Sequence, residues 1–182
     1  MCFRHYRTLI HENHDTNFHL SNSVLLLSKA TIQKEGLAEL KKCLETNLPK
    51  KPSEDSGLNG KIDKCKYGVT LSVAVKTAEE SIKDLGKDLP PAKLQAMLKS
   101  IVQEDFKKCL GKEPTDKVLD RCSTDLKITS AKEISEALFA KNIDDFVAKN
   151  GGAQKLGLTN TAIANYKQSL TRETNQCIEQ GK

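Results

Sequence analysis

Residues 90–122 read PPAKLQAMLKSIVQEDFKKCLGKEPTDKVLDRC, and this stretch decides the fold. Leu94, Met97, Leu98 and Ile101 recur at three- and four-residue steps, and the stripe runs on to Cys109 and Leu110. Such spacing puts apolar side chains on one face of an α-helix. Pro90-Pro91 opens that helix, because the amide that proline lacks is one the first turn leaves unused. Gly111 stands where a left-handed cap is needed. Thr115-Asp116 then offers N-cap chemistry for a second helix. The stretch predicts helix, turn, helix, with Cys109 near the end of the first helix and Cys122 about two turns into the second. An antiparallel hairpin brings two such cysteines together.

The same plan recurs on both sides. Leu40-Lys41-Lys42-Cys43-Leu44 matches Phe106-Lys107-Lys108-Cys109-Leu110, and Ile62-Asp63-Lys64-Cys65 matches Leu119-Asp120-Arg121-Cys122. Towards the C-terminus, Tyr166-Lys167-Gln168-Ser169-Leu170 carries serine in place of cysteine, and Thr174-Asn175-Gln176-Cys177 is a weaker second half. The second cysteines lie 57 and then 55 residues apart, and the first positions 66 and then 60. Periods of this size mark one supersecondary unit used repeatedly. The expected fold is all-α: a helical bundle built from a degenerate helix-hairpin repeat of about 55–65 residues, stapled by disulfides. Residues 1–30 are expected to form a flexible N-terminal segment. Residues 31–182 form the repeat domain, with units at about 31–88, 89–150 and 151–182, the last incomplete.

The hairpin logic pairs Cys43 with Cys65 and Cys109 with Cys122. Closing loops of this length stabilises a fold by roughly 3 kcal/mol each in the chain-entropy account. Cys177 faces Ser169 in the alignment, so Cys177 and Cys2 are expected to be unpaired, joined to each other, or engaged between chains. Two regions read less simply. Val69, Leu71, Val73 and Val75 alternate like a strand inside a stretch (Leu71, Val75, Ala78, Ile82, Leu85) whose wider spacing is helical. Asn47–Gly60, with two prolines, two serines and two glycines, is the obvious linker.

Composition limits the core. The chain has 182 residues, of which 37% are hydrophobic and only 4% aromatic, with no tryptophan, so aliphatic side chains must fill the interior. No run approaches the ~18 apolar residues that a membrane-spanning helix needs. None of the six cysteines forms C-x-x-C, which removes the zinc-ribbon and thioredoxin spacings. Recurrent cysteine pairs imply an oxidising compartment. The N-terminus carries Arg4 and Arg7, but its apolar run, Val24–Leu27, is too short for a complete signal peptide.

No catalytic constellation emerges. His5, His11, His14 and His19 all precede the repeats, which leaves the cysteines and serines there without the usual general base. His11, His14 and Asp15 read as part of a polar tail rather than a metal site. Glu79-Glu80 and Asp144-Asp145 read as solvated helix faces, and Asn150-Gly151-Gly152 as a helix stop rather than a phosphate loop. No cofactor is expected. Charge is the informative feature. The chain is +5 overall, of which residues 41–66 carry +3 and residues 107–121 carry +2. Lys50, Lys51, Lys112 and Lys117 are therefore the candidate anion- or partner-binding residues.

These observations favour a non-catalytic binding protein, secreted or in a lumenal or periplasmic space. Its partner would be a small apolar ligand held between helices, or an acidic protein or lipid surface. The alternative is an intracellular basic interaction module with reduced cysteines that contacts nucleic acid or acidic partners. Against the nucleic-acid reading, no helix carries a continuous basic face and stacking aromatics are scarce.

Overall fold

The computed structural model of the chain describes residues 29–48 and 57–180. The described residues form helices and short turns, without a strand. Helix α1 spans Lys29–Asn47 and α2 spans Leu58–Leu85. Residues 91–110 are helical throughout, as α3 (Pro91–Met97), a π-helical segment (Leu98–Phe106) and α4 (Lys107–Leu110). Helix α5 (Asp116–Lys149) and α6 (Asn160–Glu179) complete the chain.

Local chemistry sets the ends. Pro91 occupies the first turn of α3, after Pro90. Gly111 ends α4 at φ 66°, and its amide donates to the Lys107 carbonyl at 3.2 Å. The Thr115 hydroxyl caps α5 by accepting from the Val118 amide, and Thr159 caps α6 by accepting from Ala162. Gly151 and Gly152, at φ 84° and 92°, stop α5. The linker is shorter than its composition suggests, because α2 begins at Leu58 and takes Gly60 into its first turn.

The π segment has a cause in the sequence. Leu94, Leu98, Val102, Phe106 and Leu110 recur every fourth residue, and all but the half-buried Leu94 are buried. A four-residue period drifts around a regular α-helix, which repeats every 3.6 residues. Wider i→i+5 turns in the middle of the stretch counter that drift. At its end the Lys107 amide reaches back five residues to the Val102 carbonyl. The stripe therefore stays on one face over residues 94–110.

That face is the centre of the core, between α2 and α5. Ala74, Ala78 and Ile82 of α2, Val102 of the π segment and Ser130 of α5 have no exposed surface. The strand-like alternation at Val69–Val75 resolves as helix. Helix α2 packs against α1 on one side and against the π segment on another, so its apolar residues are not confined to one stripe. Gly36 makes the first of these contacts close, since a Cβ there would lie 2.9 Å from Val69 Cγ1. On the other side, Glu79 accepts a hydrogen bond from the Gln103 side chain.

Helix α6 packs on α5. Lys132 pairs with Glu179 at 2.5 Å and Lys167 with Asp144 at 2.6 Å, which sets the two helices antiparallel. Ser169 and Cys177 therefore lie on one uninterrupted helix, eight residues apart. The third unit expected at 151–182 is not a hairpin folding back between those two positions. Eight residues rise about 12 Å along a helix, whereas bridged cysteines need Cα atoms within about 7 Å.

Candidate functional site

Each of the first two cysteine pairs sits at the mouth of a helical turn. Cys43, one turn before the end of α1, is bonded to Cys65 of α2, with Cα atoms 5.7 Å apart. Cys109 in α4 is bonded to Cys122 of α5, with Cα atoms 5.8 Å apart. The Asn47 side chain lies over the first bridge: it donates to the Cys43 carbonyl at 2.8 Å and comes within 3.5 and 3.8 Å of the two sulfurs. Cys65 and Cys122 are buried. Cys177 is disulfide-bonded as well, which removes the expectation of a free thiol there. Cys2 lies outside the described residues.

The two stapled helix pairs have their bridged ends at the same end of the molecule: the end of α1 with the start of α2, and α4 with the start of α5. A tight turn at Gly86 joins α2 to α3, where a Cβ on Gly86 would lie 2.8 Å from Leu94 and 3.1 Å from the Ile82 carbonyl. From that turn residues 91–110 run back along α2, which meets both the π segment and α4. The start of α2 and the end of α4 therefore lie at one end of the molecule. Sequence alone leaves the relative direction of neighbouring hairpins open; the connection at Gly86 decides it.

The excess positive charge gathers at this end. Lys41, Lys42, Lys61, Lys64 and Lys66 are exposed around the first turn, and Lys107, Lys108, Lys112, Lys117 and Arg121 around the second. Acidic groups there are fewer: Glu45 and Asp63, then Glu113, Asp116 and Asp120. Among the sequence-predicted residues, Lys112 lies in the second turn and Lys117 in the first turn of α5. Lys50 and Lys51 lie outside the described residues. Residues 49–56 hold two lysines and two acids, so the described helix ends and the second turn carry the whole net excess of +5. Lys41, Lys42, Lys61, Lys64, Lys66, Lys107, Lys108 and Arg121 were not among the sequence-predicted residues, and a charge count on either side of the prolines singles out the first five.

Away from this end, groups with chemical potential are sparse and mostly satisfied. Ser130 and Ser135, buried on α5, donate to the carbonyls of Leu126 and Lys132. At the basic end itself, Ser123 Oγ, next to Cys122, is buried without a partner. Burial is the first cause that pushes the Glu133 carboxyl above its ordinary range, with Asp105 and Glu136 adding to the shift and Lys93 opposing it. No group of three or more His, Cys, Asp or Glu residues among the described residues is arranged to hold a metal ion. No described helix is long and apolar enough to cross a membrane. His11, His14 and Asp15 lie outside the described residues. The chain matches no family model, no curated protein and no solved structure.

Proposed function

We propose that the chain is a non-catalytic helical binding protein of an oxidising compartment, secreted or in a lumenal or periplasmic space. It engages an acidic protein partner through the basic end of its two stapled hairpins. We read α1–α2 and residues 91–110 with α5 as two copies of one hairpin unit, each presenting its turn at that end. The observation that carries the proposal is the collection of ten exposed basic residues against five acids around those turns. Fields from such a set add and steer anionic partners. Lysines outnumber arginine nine to one in the set, so it supplies mobile point charges rather than rigid bidentate forks. The disulfides suit an oxidising environment and weigh against the intracellular reading. A small apolar ligand within the core is less well supported, because Ile82, Ile101, Val102 and Ile134 fill the centre.

The test replaces Lys50, Lys51, Lys112 and Lys117 with glutamate, a change of eight charge units. Retention on heparin, anionic vesicles and a polyglutamate column is then compared at low and physiological salt. Strong salt-dependent retention of the parent protein on polyglutamate, lost in the variant, is the expected result, because exposed charges are screened over ~8–10 Å. Equal retention of the two proteins would leave the lysines as solubilising surface. Retention confined to vesicles would move the partner from protein to lipid.

A further inference from the structure

We infer that the half-covered face of α6 and the adjoining end of α5 is a docking surface for residues 1–28 of the same chain, fastened by a bond between Cys2 and Cys177. The first support is cysteine arithmetic. Cys177 is disulfide-bonded, and Cys43, Cys65, Cys109 and Cys122 pair among themselves. Of the six cysteines in the chain, Cys2 is the one that remains.

A second support is the surface around Cys177. Helix α6 has no buried residue, and the buried residues of α5 stop at Ser135. Ile163, Leu170 and Ile178 are half-buried, while Phe146 and Tyr166 keep 54% and 44% of their surface exposed. This is apolar area in want of cover. Two residues from Cys177, Asn175 Oδ1 is buried with no hydrogen-bond donor, a position that an added backbone amide would satisfy.

The segment has the composition to occupy such a face. Residues 1–28 contain Phe3, Tyr6 and Phe18, three of the eight Phe and Tyr residues of a chain poor in aromatics, together with Leu9, Ile10, Leu20 and Val24–Leu27. Arg4 and Arg7 balance Glu12 and Asp15. Residues 132–180 are balanced as well, with six basic and six acidic residues, so neither side repels the other. The intervening chain could span about 90 Å at ~3.3 Å per residue, so the link asks nothing of the helices. Docking through this link would replace the expectation of a flexible N-terminal segment at residues 1–30.

The experiment uses the full chain, produced in an oxidising compartment and digested with trypsin without reduction. The expected product joins Met1–Arg4 to Glu173–Lys182 through one disulfide. Free thiols in those two peptides, or a product joining two copies of Glu173–Lys182, would overturn the link, the latter making a second copy the occupant. A chain lacking residues 1–28 supplies the second arm, read by hydrogen exchange. Amides of Asn160–Glu179 should lose at least about tenfold in protection while those of residues 98–106 keep theirs. Unchanged protection of α6 would show that the segment does not cover it. Neither readout depends on the basic end, so this inference and the proposed function fail separately.

Discussion

The core around residues 91–110 and the α5–α6 arm are both made of antiparallel helices, yet they hold together differently. In the core, α2 and α5 flank the π segment, and each meets it with side chains that have almost no remaining exposure. In the arm, among the described residues, two helices face each other, and none of those beyond Ser135 is buried. Two helices make one seam, which leaves most of each helix wet. A third layer turns partial burial into full burial. Apolar residues are therefore worth much more on α2 or the π segment than on α6, at equal hydrophobicity.

The largest test of that contrast is a matched pair of truncations. Ile101→Ala removes a side chain that is 1% exposed and should cost about 3–4 kcal/mol. Ile163→Ala, on the half-buried face of α6, should cost about 1 kcal/mol or less. Denaturant melts at constant slope measure both, and equal losses would abolish the distinction between the two regions.

The staples give the next largest effect. Replacing both members of Cys43–Cys65 or of Cys109–Cys122 with serine should cost about 3 kcal/mol each. The longer span, 22 residues against 13, should make the first loss slightly larger. The contrast would sharpen if loss of the second pair loosened α4 and the start of α5 but left hydrogen exchange in α6 unaltered.

The smallest effect lies at the junction. Glu133 sits just before the last buried residue of α5, and burial raises its folded pKa above the ordinary 4.5. The folded state therefore binds this proton more tightly than the unfolded chain does. Stability from this group grows as pH falls through the raised pKa towards the ordinary value, and is lost as pH rises through the same window. Glu133→Gln should stabilise the fold slightly at neutral pH and remove that part of the pH slope. A pH–stability profile identical to the parent's would show that the carboxyl is fully hydrated.

Much of the fold was legible wherever strong punctuation meets a clean period. Residues 90–122 carry Pro90-Pro91, Gly111 and Thr115 at the positions where the helices begin and end. The strand-like pattern at Val69–Val75 was ambiguous because a helix packed on two sides loses its single stripe, and tertiary contact decides such cases. Gly36 carries no signal of its own, since a mid-helix glycine becomes meaningful once its neighbour across the interface is known. The third copy misled through local likeness. Between Ser169 and Cys177 there is no glycine or proline, whereas Gly111 and Pro114 break the chain between Cys109 and Cys122. For the candidate site, the charge excess was readable from composition. That the two turns share an end was not, because it depends on how tightly Gly86 lets α2 meet α3.

The π segment also bears on which changes of length the chain can accept. Removing one residue from Leu98–Phe106 would let the wide turns relax to ordinary α geometry, which locally is the easier conformation. The deletion removes one residue's rotation of ~100°, and the relaxation to 3.6 residues per turn returns most of it. Phe106 and Leu110 therefore stay near the core face, and Cys109 stays near Cys122. The same deletion within Val69–Ile82 of α2 meets regular α-helix, has no wide turn to absorb it, and rotates the two halves of that helix apart. The wide turns are thus the place in the helical core where the chain best accepts a shorter length.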